Sequence, residues 1–456
     1  MPAVVVSGSG ENQEFEGRIT VYVIVCVIIA AFGGLMFGYD IGISGGVTSM
    51  DDFLKKFFAA VFEKKHHALE NNYCKYDDQF LQLFTSCLYL AALIASFVAS
   101  KVCSKYGRKL TMQIASIFFI IGVILTAGGI NIEMIIFGRI FLGFGVGFAN
   151  QAVPLFLSEI APPNLRGALN ISFQLFITIG ILVSNLINYY TTNVHPHGWR
   201  ISLGIAGVPA LMLCLGSILI CETPTSLIER HKVEEGRKVL RKIRGIENVD
   251  DEFDSIIHAC EMAKQVKDPF RKLMKPVSRP QLVISICLQI FQQFTGINAI
   301  MFYAPVLFQT VGFGNDAALL SSVITGLVNV FSTVVSIYVV DRAGRRILLL
   351  EACVQMFISQ VIIGIILFKE LKTTVSTNML FTFIIGQAFL SMLCQMQAGI
   401  FFFFAAWVII MGAFTWFLLP ETKGVPVDAM VDKVWKEHWF WRSFMVEDDR
   451  PDVKVV

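Results

Sequence analysis

Eleven apolar stretches, each long enough to cross a bilayer as a helix, run through this 456-residue chain near 20–43, 80–103, 110–129, 134–157, 168–190, 200–221, 282–309, 318–340, 347–368, 375–395 and 398–419. A bilayer core of about 30 Å takes about 20 helical residues at about 1.5 Å each. With 55% hydrophobic and 16% charged residues, the chain has too much apolar surface for a soluble core to enclose. Lipid is its solvent, and the fold class is an all-α membrane protein. Net charge is +2 and the basic residues fall in short clusters, which read as membrane-side anchors; no nucleic-acid partner is implied.

An internal repeat divides the chain. Lys105-Tyr-Gly-Arg-Lys109 and Asp341-Arg-Ala-Gly-Arg-Arg346 each close one apolar helix and open the next. The first half continues through Gly138-Arg139, Ser158-Glu159, Pro162-Pro163 and Arg166-Gly167 to Glu222-Thr-Pro224. The second half reaches Pro420-Glu-Thr-Lys-Gly424 one helix too soon. Only Lys369-Glu-Leu-Lys-Thr-Thr374 stands where the repeat predicts a helix and a second Glu…Pro…Arg-Gly loop. The expected organisation is a six-helix bundle over 1–221, a linker over 222–280 and an incomplete five-helix bundle with its tail over 281–456.

Lys101, Lys105, Arg108, Lys109, Arg166, the 222–280 segment, Arg342, Arg345 and Arg346 share one side, which the positive-inside rule makes cytosolic together with the N-terminus. Residues 1–18 are polar and acidic, so no cleavable signal peptide is expected. The opposite face carries a cap over 44–79, where His66 and His67 read as solvated rather than metal-binding, since only Cys74 offers a further ligand nearby. The linker pattern predicts amphipathic helices over Leu227–Ile243 and Asp251–Val266. Cys26, Cys87, Cys214, Cys287 and Cys353 fall inside apolar helices as small fillers.

Two ionisable groups stand inside helices: Asp40, late in the first, and Arg139, in the fourth. Such groups cost several kcal/mol unless paired or hydrated, and mark pathways and proton sites. An acid whose proton affinity changes as an arginine approaches and leaves can load a proton on one side and release it on the other. A wet helix end for Asp40 and a capped carbonyl for Arg139 fit the sequence equally well. Gln289, Gln292, Gln293 and Asn298 recur on one predicted face of the seventh helix, and Gln174, Asn329 and Asn378 lie in mid-helix elsewhere. Amides match a polyhydroxylated ligand because each hydroxyl donates and accepts. Interhelical hydrogen bonding would account for one or two of them, but poorly for a cluster.

Gly33–Val47, Gly138-Arg-Ile-Phe-Leu-Gly143, Gln292-Gln-Phe-Thr-Gly-Ile-Asn298, Asp341–Arg346 and Pro420–Gly424 resemble the sugar-porter branch of the major facilitator superfamily. With the outer cap and Val434-Trp-Lys-Glu-His-Trp-Phe-Trp441, the chain is similar to the plant sugar transport proteins, monosaccharide-proton symporters of the plasma membrane. The resemblance implies a two-bundle facilitator fold, not an enzyme, with a hexose such as glucose and protons as partners, and no cofactor or metal. It implies Asp40 as proton acceptor, Arg139 as its partner, and Gln174, Gln292, Gln293, Asn298, Asn329 and Asn378 as sugar ligands. It also implies a disulfide between Cys74 and Cys394.

The departures are specific. The family's tenth helix supplies a Gly-Pro and a tryptophan, and all six tryptophans here lie elsewhere, at Trp199, Trp407, Trp416, Trp435, Trp439 and Trp441. Ser104-Lys105 replaces the acid-arginine pair, Cys221 stands where a proline precedes Glu222, and Ala352-Cys353 replaces two glycines. With one helix fewer, either the last hairpin inverts or one stretch fails to span. The expectation is therefore little or no net transport by the chain as it stands. A non-transporting defective or regulatory membrane protein is the alternative function, and an uncoupled facilitator a third.

Overall fold

The computed structural model describes residues 20–67, 76, 78–162, 166–264, 279–310, 314–343, 345–370, 399–421, 434–435 and 437–442. Its first bundle contains α1 (Val21–Val47), α4 (Gln79–Tyr106), α5 (Arg108–Ala127), α6 (Ile132–Ile160), α7 (Arg166–Thr191), and the pair α8 (Gly198–Ile205) and α9 (Gly207–Leu219). Between α1 and α4 lie the short cap helices α2 (Asp51–Phe57) and α3 (Ala59–His67). The linker helices are α10 (Pro224–Glu229), α11 (Val233–Arg244) and α12 (Asp250–Lys264). The second bundle contains α13 (Arg279–Phe294), α14 (Ile297–Thr310), α15 (Asn315–Ala343), α16 (Arg345–Glu370) and α17 (Gly399–Leu418).

Eight described helices are long and apolar enough to cross a membrane, counting α8–α9 as one. The predicted seventh span is instead divided into α13 and α14, and the stretch 375–395 lies outside the described residues, as do Cys74, Cys394 and Asn378. His66 and His67 end α3, and their side chains are likewise outside the description. The linker expectation also needs correction. Thr223 caps α10 through its side chain, Pro224 opens it, and His231 adopts a left-handed φ of 63°, which breaks the expected single helix Leu227–Ile243 in two.

Close backbone approach fixes α1 against α7. Gly34 and Gly38 face α7 four residues apart, where an added Cβ would overlap the carbonyls of Phe173 and Ile177. In lipid, where helix association gains little from hydrophobicity, such small-residue faces allow the van der Waals contact that holds helices together. The polar side of α1 is thereby turned toward α6.

The repeat recurs in three dimensions. At the junction of α4 and α5, the backbone N–H of Lys109 donates to Glu222 at 3.3 Å, and Lys109 Nζ donates to the Ile218 and Ile220 carbonyls at 3.0 and 2.8 Å. In the second half, the N–H of Arg346 donates to Glu421 Oε2 at 3.3 Å and its guanidinium to the Trp416 carbonyl at 2.8 Å. Each carboxylate sits at a helix N-terminus, where free N–H groups and the helix dipole favour negative charge. Gly107, with φ of 97°, makes the first turn possible, since a Cβ there would strike the Glu222 carboxylate.

The same contact settles the direction of α17. Its C-terminal end meets the start of α16 at the basic end of the molecule, and Phe291–Phe414 and Phe294–Trp407 pair α13 antiparallel to it, with ring centroids at 5.1 and 3.9 Å. Of the two expected outcomes, inversion of the last helix is not the one the structure adopts; the stretch 375–395, on which the other turns, lies outside the described residues. The Glu421 carboxylate and the α13 aromatic face hold α17 in the sense it has in a complete second bundle.

Candidate functional site

Asp40 and Arg139 meet in the interior of the first bundle. Arg139 Nη1 donates to Asp40 Oδ1 at 2.6 Å, and both residues are buried. The guanidinium also lies over the Phe84 ring, 4.1 Å from its centroid. Arg139 Nε and Nη2 are buried without a hydrogen-bond partner among the described residues. A wet helix end for Asp40 and a carbonyl cap for Arg139 are thus replaced by a buried ion pair. Losing one member of such a pair costs about 3–5 kcal/mol, because the other is left buried and charged. Phe84 was not legible as a site residue, since a phenylalanine in an apolar helix carries no distinguishing signal.

The amide cluster is organised by a helix break rather than by one continuous face. Thr295 returns its hydroxyl to the Gln292 carbonyl at 2.7 Å, and Gly296 takes φ of 76°, so α13 stops and α14 starts afresh. Across that break Asn298 Nδ2 donates to Gln293 Oε1 at 2.6 Å. Gln292 is exposed and Gln293 half-buried, as is Asn298. Gln360, on α16, braces the break by donating to the Thr295 carbonyl at 3.4 Å. Sequence reasoning missed Gln360, because its role depends on Thr295, 65 residues away in the chain.

Gln174 and Asn329 lie on α7 and α15, the helices that meet across the halves. At the cap end Asn185 of α7 donates to the Ser322 carbonyl of α15 at 3.2 Å. Gln174 lies eleven residues before Asn185, on nearly the same face and about 16 Å toward the basic end. Asn329 lies seven residues beyond Ser322, again on the same face, about 10 Å in the same direction. Asn185 and Ser322 are buried, Asn329 half-buried and Gln174 exposed, so burial along this pair of helices falls away from the cap. Two further bonds close the cap end: Thr85 with Tyr303 at 2.6 Å, and Tyr76 with Gln309. Tyr303 is fully buried, at a kink with φ of −112° two residues before Pro305.

The basic end of the first bundle is a network of ion pairs. Arg108 meets Glu159 and Glu229, both at 2.7 Å, and Thr223 donates to Glu159 at 2.6 Å. Arg244 of α11 binds Glu252 and the Ile160 carbonyl, docking the linker at the C-terminal end of α6. No group of three or more metal-ligating side chains occurs among the described residues.

Two helical bundles, a buried Asp–Arg pair in one and a group of amides at a helix break in the other define a membrane transporter of the major facilitator fold. The sugar (and other) transporter family matches residues 26–376 and again 369–434. This chain belongs to that family. It is 61% identical to sugar transport protein 8 of Arabidopsis thaliana, covering 99% of both chains, and 55% identical to sugar transport protein MST4 of Oryza sativa subsp. japonica, covering 98% of this chain and 97% of that one. The proton:xylose symporter XylE, solved with 6-bromo-6-deoxy-D-glucose, shares the fold with a TM-score of 0.73 at 22% identity over 89% of this chain and 98% of that chain.

The same comparisons bear on the expected loss of a helix. The two family matches meet at 369–376, where the repeat predicts the lost helix. The alignment with sugar transport protein 8 runs over 502 positions against 456 residues here, so at least 46 positions find no residue in this chain. That length is one transmembrane helix with a loop.

Proposed function

We propose that the chain is a proton-coupled monosaccharide transporter of the plasma membrane, with its basic end and N-terminus in the cytosol and a hexose such as glucose as substrate. The observation that carries this reading is the buried Asp40–Arg139 pair at 2.6 Å, whose arginine keeps two donor nitrogens unpaired. A proton arriving at Asp40 converts the carboxylate to a neutral acid and frees Arg139 to seek new acceptors. That change alters the packing of α1 against α6 and biases the halves toward one side. Sugar hydroxyls bind between Gln174 on one half and Gln292, Gln293, Asn298 and Asn329 on the other; Asn378 belongs to the same proposed set. With the cap end closed by these bonds and burial falling toward the basic end, the arrangement fits release toward the cytosol. An inward-negative potential adds about 2.3 kcal/mol per proton per 100 mV, enough to concentrate sugar severalfold.

The names of the relatives support the sugar and, through XylE, the proton; they favour this reading over a non-transporting partner protein. The missing segment limits the rate, because the second bundle must rock without a helix that its family uses. Uptake of radiolabelled glucose in yeast lacking hexose carriers tests both statements. The chain gives slow, acid-stimulated, protonophore-sensitive uptake, and inserting a family-type helix after Thr374 raises it severalfold. Equal uptake by the two chains overturns the rate limit; absence of saturable uptake by both overturns the transport reading.

A further inference from the structure

Lys56 of α2 and Arg200 of α8 converge on one backbone oxygen at the cap end of the first bundle. Lys56 Nζ donates to the Gly129 carbonyl at 3.4 Å and Arg200 Nη2 to the same oxygen at 2.8 Å, while Arg200 Nη1 donates to the Ala127 carbonyl at 2.8 Å. Both cations also lie over the buried Trp199 ring, at 5.4 and 4.5 Å from its centroid. Among the described residues neither meets a carboxylate; the two acids that open α2 pair elsewhere, Asp51 with Lys65 and Asp52 with His195. Lost hydration and then the Arg200 charge lower the Lys56 ammonium from its ordinary value. Two like charges sharing one acceptor are stabilised by an anion, and a lysine with three donors and an arginine with five have donors left for its oxygens. Lys56 is exposed and Arg200 half-buried, so both are open to such a ligand.

The helices beneath supply an apolar seam. There α5 and α8 meet, and an added Cβ on Gly204 would come 3.8 Å from the Ala127 Cβ. Ile201 and Val208, one turn to either side of Gly204, and Ile124, one turn before Ala127, are exposed. A cation pair at the end of a seam between spanning helices, with exposed aliphatic side chains along it, matches the two parts of a phospholipid, an anionic phosphate and an acyl chain. We propose that Lys56 and Arg200 bind the phosphate of a phospholipid in the cap-side leaflet. The guanidinium takes two phosphate oxygens in a fork and the ammonium adds a point charge. The bound phosphate neutralises the pair and bridges α2 to α8, so the lipid fastens the cap to the first bundle. The site stands apart from Asp40 and Arg139 and does not depend on transport.

The full chain, purified in a neutral detergent, is titrated with phosphatidylglycerol, and the retained lipid is counted by native mass spectrometry. Lys56→Gln weakens binding about tenfold and Arg200→Gln at least as much, as loss of a hydrogen bond to a charged group requires. Lys64→Gln, at an exposed lysine of α3, leaves binding unchanged. Neither diacylglycerol with the same chains nor inorganic phosphate at the same concentration displaces the lipid. Equal affinity in Lys56→Gln and Lys64→Gln overturns the proposal. So does displacement by inorganic phosphate, which would make this a free-anion site, or by diacylglycerol, which would leave only the apolar seam. If Arg200→Gln does not fold, Lys56→Gln, at an exposed side chain, decides alone.

Discussion

Asp40 and Arg139 stand 99 residues apart in sequence and 2.6 Å apart in the fold, which makes their energetics testable by a cycle of variants. Asp40→Asn or Arg139→Gln alone leaves one group unpaired in the interior and lowers stability by about 3–5 kcal/mol. The double variant removes both charges and melts above either single variant; simple addition of the two losses, measured by fluorescence melting in detergent, would mean the groups do not interact. At the amide cluster, Gln293 and Asn298 already bond to each other, so truncating either leaves its partner without that bond as well as removing a proposed sugar contact. Gln293→Ala weakens glucose binding about ten- to a hundredfold in calorimetric titration, from about 1–3 kcal/mol per unmade bond. Wild-type affinity would assign the pair to helix packing alone. The sequence announced these residues because charges and amides are conspicuous in apolar helices. Phe84 and Gln360 were silent because their roles depend on what lies across from them.

Among the elements, α1 carries the tightest constraint. Gly38→Val drives a branched side chain into the Ile177 backbone and costs at least about 1–3 kcal/mol, whereas Gly314→Val, where an added Cβ meets nothing within 4 Å, leaves the melting temperature unchanged. Equal effects at the two positions would deny the close approach of α1 and α7. Hydropathy located α4, α5 and α6 well, because long apolar runs bounded by polar turns mark a spanning helix. It joined α13 to α14, since a Thr-Gly break inside an apolar run changes neither length nor composition. The amphipathic pattern of the linker likewise joined α10 to α11, where a single left-handed histidine separates the two helices without a glycine or proline to announce it.

At the scale of the whole molecule, the repeat was legible from two basic loops, and the structure gives both loops the same carboxylate contact. The expectation of a missing helix came from a break in that repeat, and the 502 aligned positions against 456 residues here are consistent with lost chain. The fate of the final helix was not legible, because counting crossings ignores the Glu421 hydrogen bond and the aromatic face that hold α17 in place. A C-terminal epitope tag is therefore inaccessible to antibody in intact cells and accessible after permeabilisation; labelling of intact cells would restore the inverted arrangement. The central claim, that protonation of Asp40 drives sugar movement, is tested most directly in the chain carrying a family-type helix after Thr374. Accumulation of radiolabelled glucose is followed at acid and neutral external pH, with and without Asp40→Asn. The account predicts acid-stimulated accumulation severalfold above the medium, and none above equilibrium in the Asp40→Asn variant. Undiminished acid-stimulated accumulation in that variant would contradict it.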